Sequence, residues 1–227
     1  MKSRFQQLLR ERLKNAADPK KAPGMQAYMK SIMPYYGVQS PYFKALCREI
    51  WPELIYRSKA EWTRDVRLVW DQAKFREERY GALALCAHKM SLPFQDVEAM
   101  KLYEYLIVSG QWWDFVDDIA SHRVGYILES EPTAMKKMML KWSRDENMWK
   151  RRTSIICQLG FKADTDLKLL YACIEPSLGS KEFFLQKAIG WALRQYAWTD
   201  AKEIKKFVKK NQERLAPLSR REALKNV

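Results

Sequence analysis

Histidine is nearly absent from this chain of 227 residues, and its scarcity removes much of the chemistry that enzymes usually rely on. The two that occur, His88 and His122, have no second His or Cys at ligand spacing, so neither a metal site nor a His-based catalytic triad is expected. Cysteine is also sparse. Cys47, Cys86, Cys157 and Cys173 stand far apart with no CxxC pair and read as reduced core residues of an intracellular, cytoplasmic protein. No apolar run approaches the roughly 18 to 20 residues of a membrane span. The start, Met1-Lys2-Ser3-Arg4-Phe5-Gln6-Gln7, lacks the apolar core of a secretory leader. Eight glycines and nine prolines leave little room for tight turns and favour helices joined by short connections. Acidic residues fall short of basic ones, 27 Asp and Glu against 41 Lys and Arg, for a net charge of +14. A field of that sign attracts polyanions, either nucleic acid or an acidic membrane surface.

What is present is helical periodicity. Phe5, Leu8, Leu9 and Leu13 recur at i, i+3, i+4 and i+8, and Leu102, Tyr105 and Leu106 repeat the pattern. Breaks are expected at Asp18-Pro19, Pro23-Gly24, Pro34 to Pro41, Trp51-Pro52, Ser91 to Pro93, Glu131-Pro132, Pro176 to Ser180 and Pro217. Ser40-Pro41 and Glu131-Pro132-Thr133 read as helix starts. No alternating strand pattern occurs, so the expectation is about a dozen short helices in a single domain over residues 1–227. A weak repeat runs through the chain. Its units are anchored on Arg79, Arg152, Lys187 and Arg221, with spacings of 73, 35 and 34 residues, and the Trp112–Asp117 segment lies halfway through the long gap. A period of about 35 residues in an all-helical chain predicts an α-solenoid of HEAT-like antiparallel helix pairs. Equivalent positions would line one concave face, making Arg79, Arg152, Lys187 and Arg221 a basic strip suited to phosphates.

The densest chemistry lies in Gln111-Trp112-Trp113-Asp114-Phe115-Val116-Asp117-Asp118. Trp113 and Asp117 share a helix face at i, i+4, whereas Trp112 points elsewhere. An indole beside a carboxylate is unusual in a core, although packing tryptophans, with aspartates that cap the helix or pair with arginines, would give the same string. A second set lies around Gly190-Trp191, where Lys187 and Trp191 are i, i+4 and Trp191 and Arg194 are i, i+3. Gly190 there leaves room for close approach by a backbone or a ligand. Trp149 and Arg152 form a third Trp-and-charge pair.

These strings resemble the AlkD family of DNA glycosylases. The resemblance rests on Gly37-Val38-Gln39-Ser40-Pro41, Gln111 to Asp117, Met148 to Arg152, Ser180 to Arg194 and Ala216 to Ala223, and it covers nearly the whole chain. It implies a HEAT-like solenoid that wraps duplex DNA and excises N3- and N7-alkylated purines without a metal or cofactor. It implies Asp117 as the catalytic aspartate, Trp113 and Trp191 as cleft tryptophans, and Arg152 and Arg194 as cleft arginines. Tyr28 and Gln39 would lie near the lesion, beside the DNA contacts that the repeat already assigns to Arg79 and Lys187. Two positions depart from the pattern. Gly160 stands where a lysine follows the Gln-Leu pair, and Asp118 replaces a serine beside the catalytic aspartate.

The implied chemistry is physically coherent. An alkylated purine is already cationic and leaves without protonation, so one carboxylate that steadies an oxocarbenium-like sugar and positions water suffices. No lysine sits beside Asp117 to act as a Schiff-base nucleophile, so the expected enzyme is monofunctional and leaves an abasic site, and a monomer is the expected state. Two other readings stand beside it: a non-catalytic module that binds distorted duplex, and a protein-interaction scaffold.

Overall fold

The computed structural model describes Ser3–Lys225 and Val227. The reading of the chain start as lacking a leader draws on Met1 and Lys2, which lie outside the described residues. Fourteen α-helices and no strands occur among the described residues, in two compact units, one ending at Phe94 and the other starting at Gln95. No helix there is long and apolar enough to cross a membrane.

The first unit holds α1 (Arg4–Asn15), α2 (Ala22–Met29), α3 (Ser40–Ile50), α4 (Lys59–Asp71) and α5 (Arg76–Ala87). Ser3 and Ser58 cap α1 and α4 through their hydroxyls, each accepting from a backbone N–H three residues on. The expected stripe of Phe5, Leu8, Leu9 and Leu13 is buried, and α1 lays it against α3, α4 and α5. Pro23-Gly24 is not a break. Pro23 falls in the first turn of α2, where its missing N–H costs nothing and its fixed φ suits the helix. Pro217 likewise opens α14.

The second unit holds α6 (Met100–Gly110), α7 (Trp113–Asp118), α8 (Gly125–Ser130), α9 (Pro132–Trp142), α10 (Met148–Ile156), α11 (Leu167–Ile174), α12 (Phe183–Ala197), α13 (Ala201–Lys210) and α14 (Pro217–Ala223). Packing here skips alternate helices. α10 packs on α12 and α12 on α14, while α9 packs on α11 beside them. This is the two-layered stacking of a helical-repeat solenoid. The repeat units anchored on Arg152, Lys187 and Arg221 fall on α10, α12 and α14, successive helices of one layer. Ile155, Leu170, Leu185, Ile189, Leu193 and Ile204 form the core between the layers. Each such buried side chain contributes about 1.5 to 3 kcal/mol. In α6 the best-buried ring is Tyr103, not the Tyr105 of the periodicity, because the hydroxyl of Tyr103 reaches Gln95 inside the core.

Candidate active site

The corner between α6 and α7 sets the site. Gln111 ends α6 in the left-handed region (φ 42°), and Trp112 then takes an extended conformation as the N-cap of α7. That sharp turn sends the Trp112 ring toward Trp149 at 6.4 Å and Phe184 at 5.5 Å, an aromatic cluster joining the starts of α7, α10 and α12. Trp149, paired in sequence with Arg152 at i, i+3, is only 5% exposed and belongs to this cluster. Trp113 is half-buried and lies one turn before Asp117 on α7.

The helix continues beyond Asp118, but Ile119–Val124 is a π-helix that joins α7 to α8. A widened turn disturbs the regular carbonyl pairing, and side chains fill the gap. The Ser121 hydroxyl donates to the Asp117 carbonyl at 2.6 Å, and His122 Nδ1 lies 3.2 Å from the Asp118 carbonyl. The Asp118 carboxylate faces the same imidazole at 3.2 Å and holds its pKa above the usual histidine value. Asp118 is therefore committed to the π segment. Gly125 follows at once, and a Cβ there would stand 2.7 Å from the Cys157 carbonyl. The absence of a side chain lets α10 lie against this helix.

That closeness brings Arg152 to Asp117. Nε donates to Oδ1 and Nη2 to Oδ2, both at 2.7 Å, while Nη1 donates to the Phe184 carbonyl of α12 at 2.5 Å. The guanidinium thus ties three helices through three bonds, and Arg152 is 4% exposed. Burial pushes the Asp117 carboxyl above the ordinary carboxylate range, and Arg152 pulls against that rise. A two-point fork requires two acceptor oxygens, so the group is held as the carboxylate.

Phe184, Lys187, Trp191 and Arg194 follow at i, i+3, i+7 and i+10 along one stripe of α12. Trp191 is half-buried against the core. Lys187 and Arg194 both meet Glu222 of α14, at 3.2 and 2.6 Å. Burial opposes ionisation of Glu222, but Lys187 and Arg194 hold its carboxyl below the ordinary range. Gly190 permits this clamp, since a Cβ there would meet Glu222 Cβ at 2.5 Å and the Ser219 carbonyl at 3.0 Å. The close approach expected at Gly190 is therefore that of α14.

In the first unit, Tyr28 on α2 is 76% exposed and Gln39 is exposed at the start of α3, while the Arg79 guanidinium lies 4.7 Å from the Trp70 ring centroid. A strap over residues 31–39 carries Gln39. Its backbone N–H groups at Tyr36, Gly37 and Val38 all donate to the buried Glu77 carboxylate, at 2.9 to 3.2 Å. The departure at Gly160 is a turn residue (φ 92°) just beyond α10.

Sequence reasoning overlooked Glu222, Glu77 and Phe184. Glu222 directly follows the repeat residue Arg221 and Glu77 nearly precedes Arg79, so acids inside the repeat units were the available signal. Phe184 acts through its carbonyl, which carries no residue-type signal.

A family model described as DNA alkylation repair enzyme matches residues 9–227. A solved structure described as a predicted DNA alkylation repair enzyme from Enterococcus faecalis is 28% identical. It covers 93% of this chain and 96% of its own, with a TM-score of 0.83. Among curated proteins none matches the chain.

Proposed function

This chain belongs to the DNA alkylation repair enzyme family, and from that premise we propose that it is a monofunctional glycosylase releasing N3- and N7-alkylated purines from duplex DNA. The observation that carries the reading is the two-point grip of Arg152 on Asp117. It keeps a carboxylate ionised in a mostly dry place, with 14% of the side chain still reachable. Such a charge is worth far more beside a developing cation than it would be in water.

In this mechanism the bond between C1′ and N9 of the alkylated purine breaks with its electrons going to the cationic base, which departs neutral. Positive charge develops on the sugar and faces Asp117. Water adds to C1′ on the carboxylate's side, Asp117 accepts its proton, and an abasic site remains. Trp113 and Trp191 offer indole faces to the cationic sugar and lesion. Lys187 and Arg194 meet phosphates, and Arg79, Tyr28 and Gln39 of the first unit add DNA contacts of their own. Arg152, nearly inaccessible, is a positioning residue that acts through Asp117.

Asp117→Asn tests the proposal. It preserves shape while removing the charge, and single-turnover release of 7-methylguanine should fall by roughly 100- to 1,000-fold. Affinity for the same duplex should hold or rise, since an acid has left a phosphate-binding surface. Trp113→Ala and Trp191→Ala should cost less, because they embrace the sugar without supplying charge. A folded Asp117→Asn protein with undiminished release removes the residue from the mechanism, and absence of abasic sites with the unaltered chain removes the glycosylase reading.

A further inference from the structure

α13 reads Ala-Lys-Glu-Ile-Lys-Lys-Phe-Val-Lys-Lys, and its two faces have different fates. Ile204, Phe207 and Val208 are buried in the core, while Lys202, Lys205, Lys206, Lys209 and Lys210 are all exposed. Lys202, Lys205, Lys206 and Lys209 form a single stripe at i, i+3, i+4 and i+7. The one acid of the helix, Glu203, accepts a hydrogen bond from the Tyr171 hydroxyl at 3.0 Å and stands 4.0 Å from Lys206. Asp200 is occupied as the N-cap. Among the described residues, Lys202, Lys205, Lys209 and Lys210 have no acidic partner.

The helix gains little from this arrangement by itself. Lys209 and Lys210 suit the negative end of the helix dipole, but Lys202 sits in the first turn, where the dipole opposes a cation. Lys202–Lys206, Lys205–Lys209 and Lys206–Lys210 are like-charge pairs at i, i+4, each working against the helix. A bound polyanion would relieve all of these repulsions together.

An exposed indole precedes α13 in the chain. Trp198 is 71% exposed and stacks on no ring among the described residues. It is the C-cap of α12 with helical backbone angles (φ −65°, ψ −23°), so it continues the α12 stripe, seven residues beyond Trp191 and four beyond Arg194. That places it about 10 Å further along the helix axis, at 1.5 Å per residue. Lys202 follows four residues later.

We infer that the stripe of Lys202, Lys205, Lys206 and Lys209, on the face that α13 turns away from the core, with Trp198 at the chain entry to the helix, forms a second nucleic-acid contact, which holds a DNA strand by its phosphates and by packing of the indole. The lysines supply a sequence-independent track, and the exposed ring packs on a sugar or an unstacked base. An acidic membrane fits less well, because an interfacial helix sinks its apolar face into the bilayer and the apolar face of α13 is already inside the protein. The inference extends the proposed glycosylase's DNA surface and rests on that reading only for the identity of the strand.

The test is binding of an undamaged duplex and a single strand of equal length to the full chain across a salt series. The proteins compared are the unaltered chain, K202Q/K205Q/K206Q/K209Q, the same four positions changed to Arg, and W198A. The four-Gln protein should lower the slope of log affinity against log salt by about two to three, and the four-Arg protein should restore it. W198A should weaken at least one of the two DNAs about fivefold or more, the single strand most if the ring packs on a base. Circular dichroism verifies that these surface changes leave the helices intact. Unchanged slopes and affinities on both DNAs overturn the inference. So does a patch that is needed for phosphatidylserine vesicles and dispensable for DNA. Excision by the unaltered chain is scored separately, so failure there removes the glycosylase proposal and leaves the result on this patch standing.

Discussion

At the scale of single residues the protein's central feature is a carboxylate pulled in two directions. Burial raises the Asp117 carboxyl above its ordinary range, Arg152 opposes the rise, and Asp114 one turn away adds to it. If Asp117 must be ionised to act, excision falls on the acid side as it takes up a proton, with a midpoint above the ordinary 3.8 of an aspartate. Removing the opposing cation raises that midpoint further, so Arg152→Gln should move the acid limb of the excision profile to higher pH. Single-turnover rates from mildly acidic to neutral pH read the shift, and an unmoved limb would mean that Arg152 does not set the ionisation of Asp117. The same change strands a buried carboxylate, which typically costs about 3 to 5 kcal/mol, measurable by urea denaturation.

At the scale of elements, two glycines decide which side chains can meet. Gly125 admits α10 close enough for Arg152 to reach Asp117, and Gly190 admits α14 close enough for Glu222 to hold Lys187 and Arg194. Gly190→Ala would drive a methyl into Glu222 Cβ and the Ser219 carbonyl, neither of which is the loose end of a flexible chain. The expected loss is about 1 to 3 kcal/mol of stability, with a lower DNA affinity because the clamp opens. Denaturation and duplex binding measured on one preparation test both parts. A stable variant with normal affinity would mean that α14 shifts without consequence. The helical periodicity behind the elements was legible in the chain: the α1 stripe, the Pro-led starts of α3 and α9, and the repeat on α10, α12 and α14. The π-helix was not, because Ile119–Val124 has the same periodic composition as an α-helix and the extra residue is absorbed by Ser121 and His122.

At the scale of the whole molecule, the charge of +14 acts before any specific contact. Each phosphate neutralised adds about 0.9 to the salt slope of duplex binding, so affinity for undamaged DNA should fall steeply from low to physiological salt. Lys187→Ala should flatten the slope by about one unit while leaving sequence preference unaltered, as phosphate contacts carry no base information. A flat salt response would remove DNA as the partner, and with it the reason for the excess of base over acid. The cations are not a row of idle charges. Arg152 is spent on Asp117, whereas Lys187 and Arg194 hold Glu222, so under the proposed function those two are oriented before a strand arrives. Such preorganisation lowers the entropic cost of binding.

The sequence by itself determined the helices, their repeat and the excess of positive charge, because spacing, capping and composition act locally or sum over the chain. It also displayed Trp113 beside Asp117, since four residues on a helix are neighbours whatever the tertiary structure. Only the tertiary structure decided that Arg152 serves Asp117, that Trp149 is core, and that Glu222 joins Lys187 to Arg194. Those pairings span 28 to 35 residues and depend on how closely helices of one layer approach. That distance is set by packing at Gly125 and Gly190, where a missing side chain reads in sequence as only a weak helix former and in space as the contact itself.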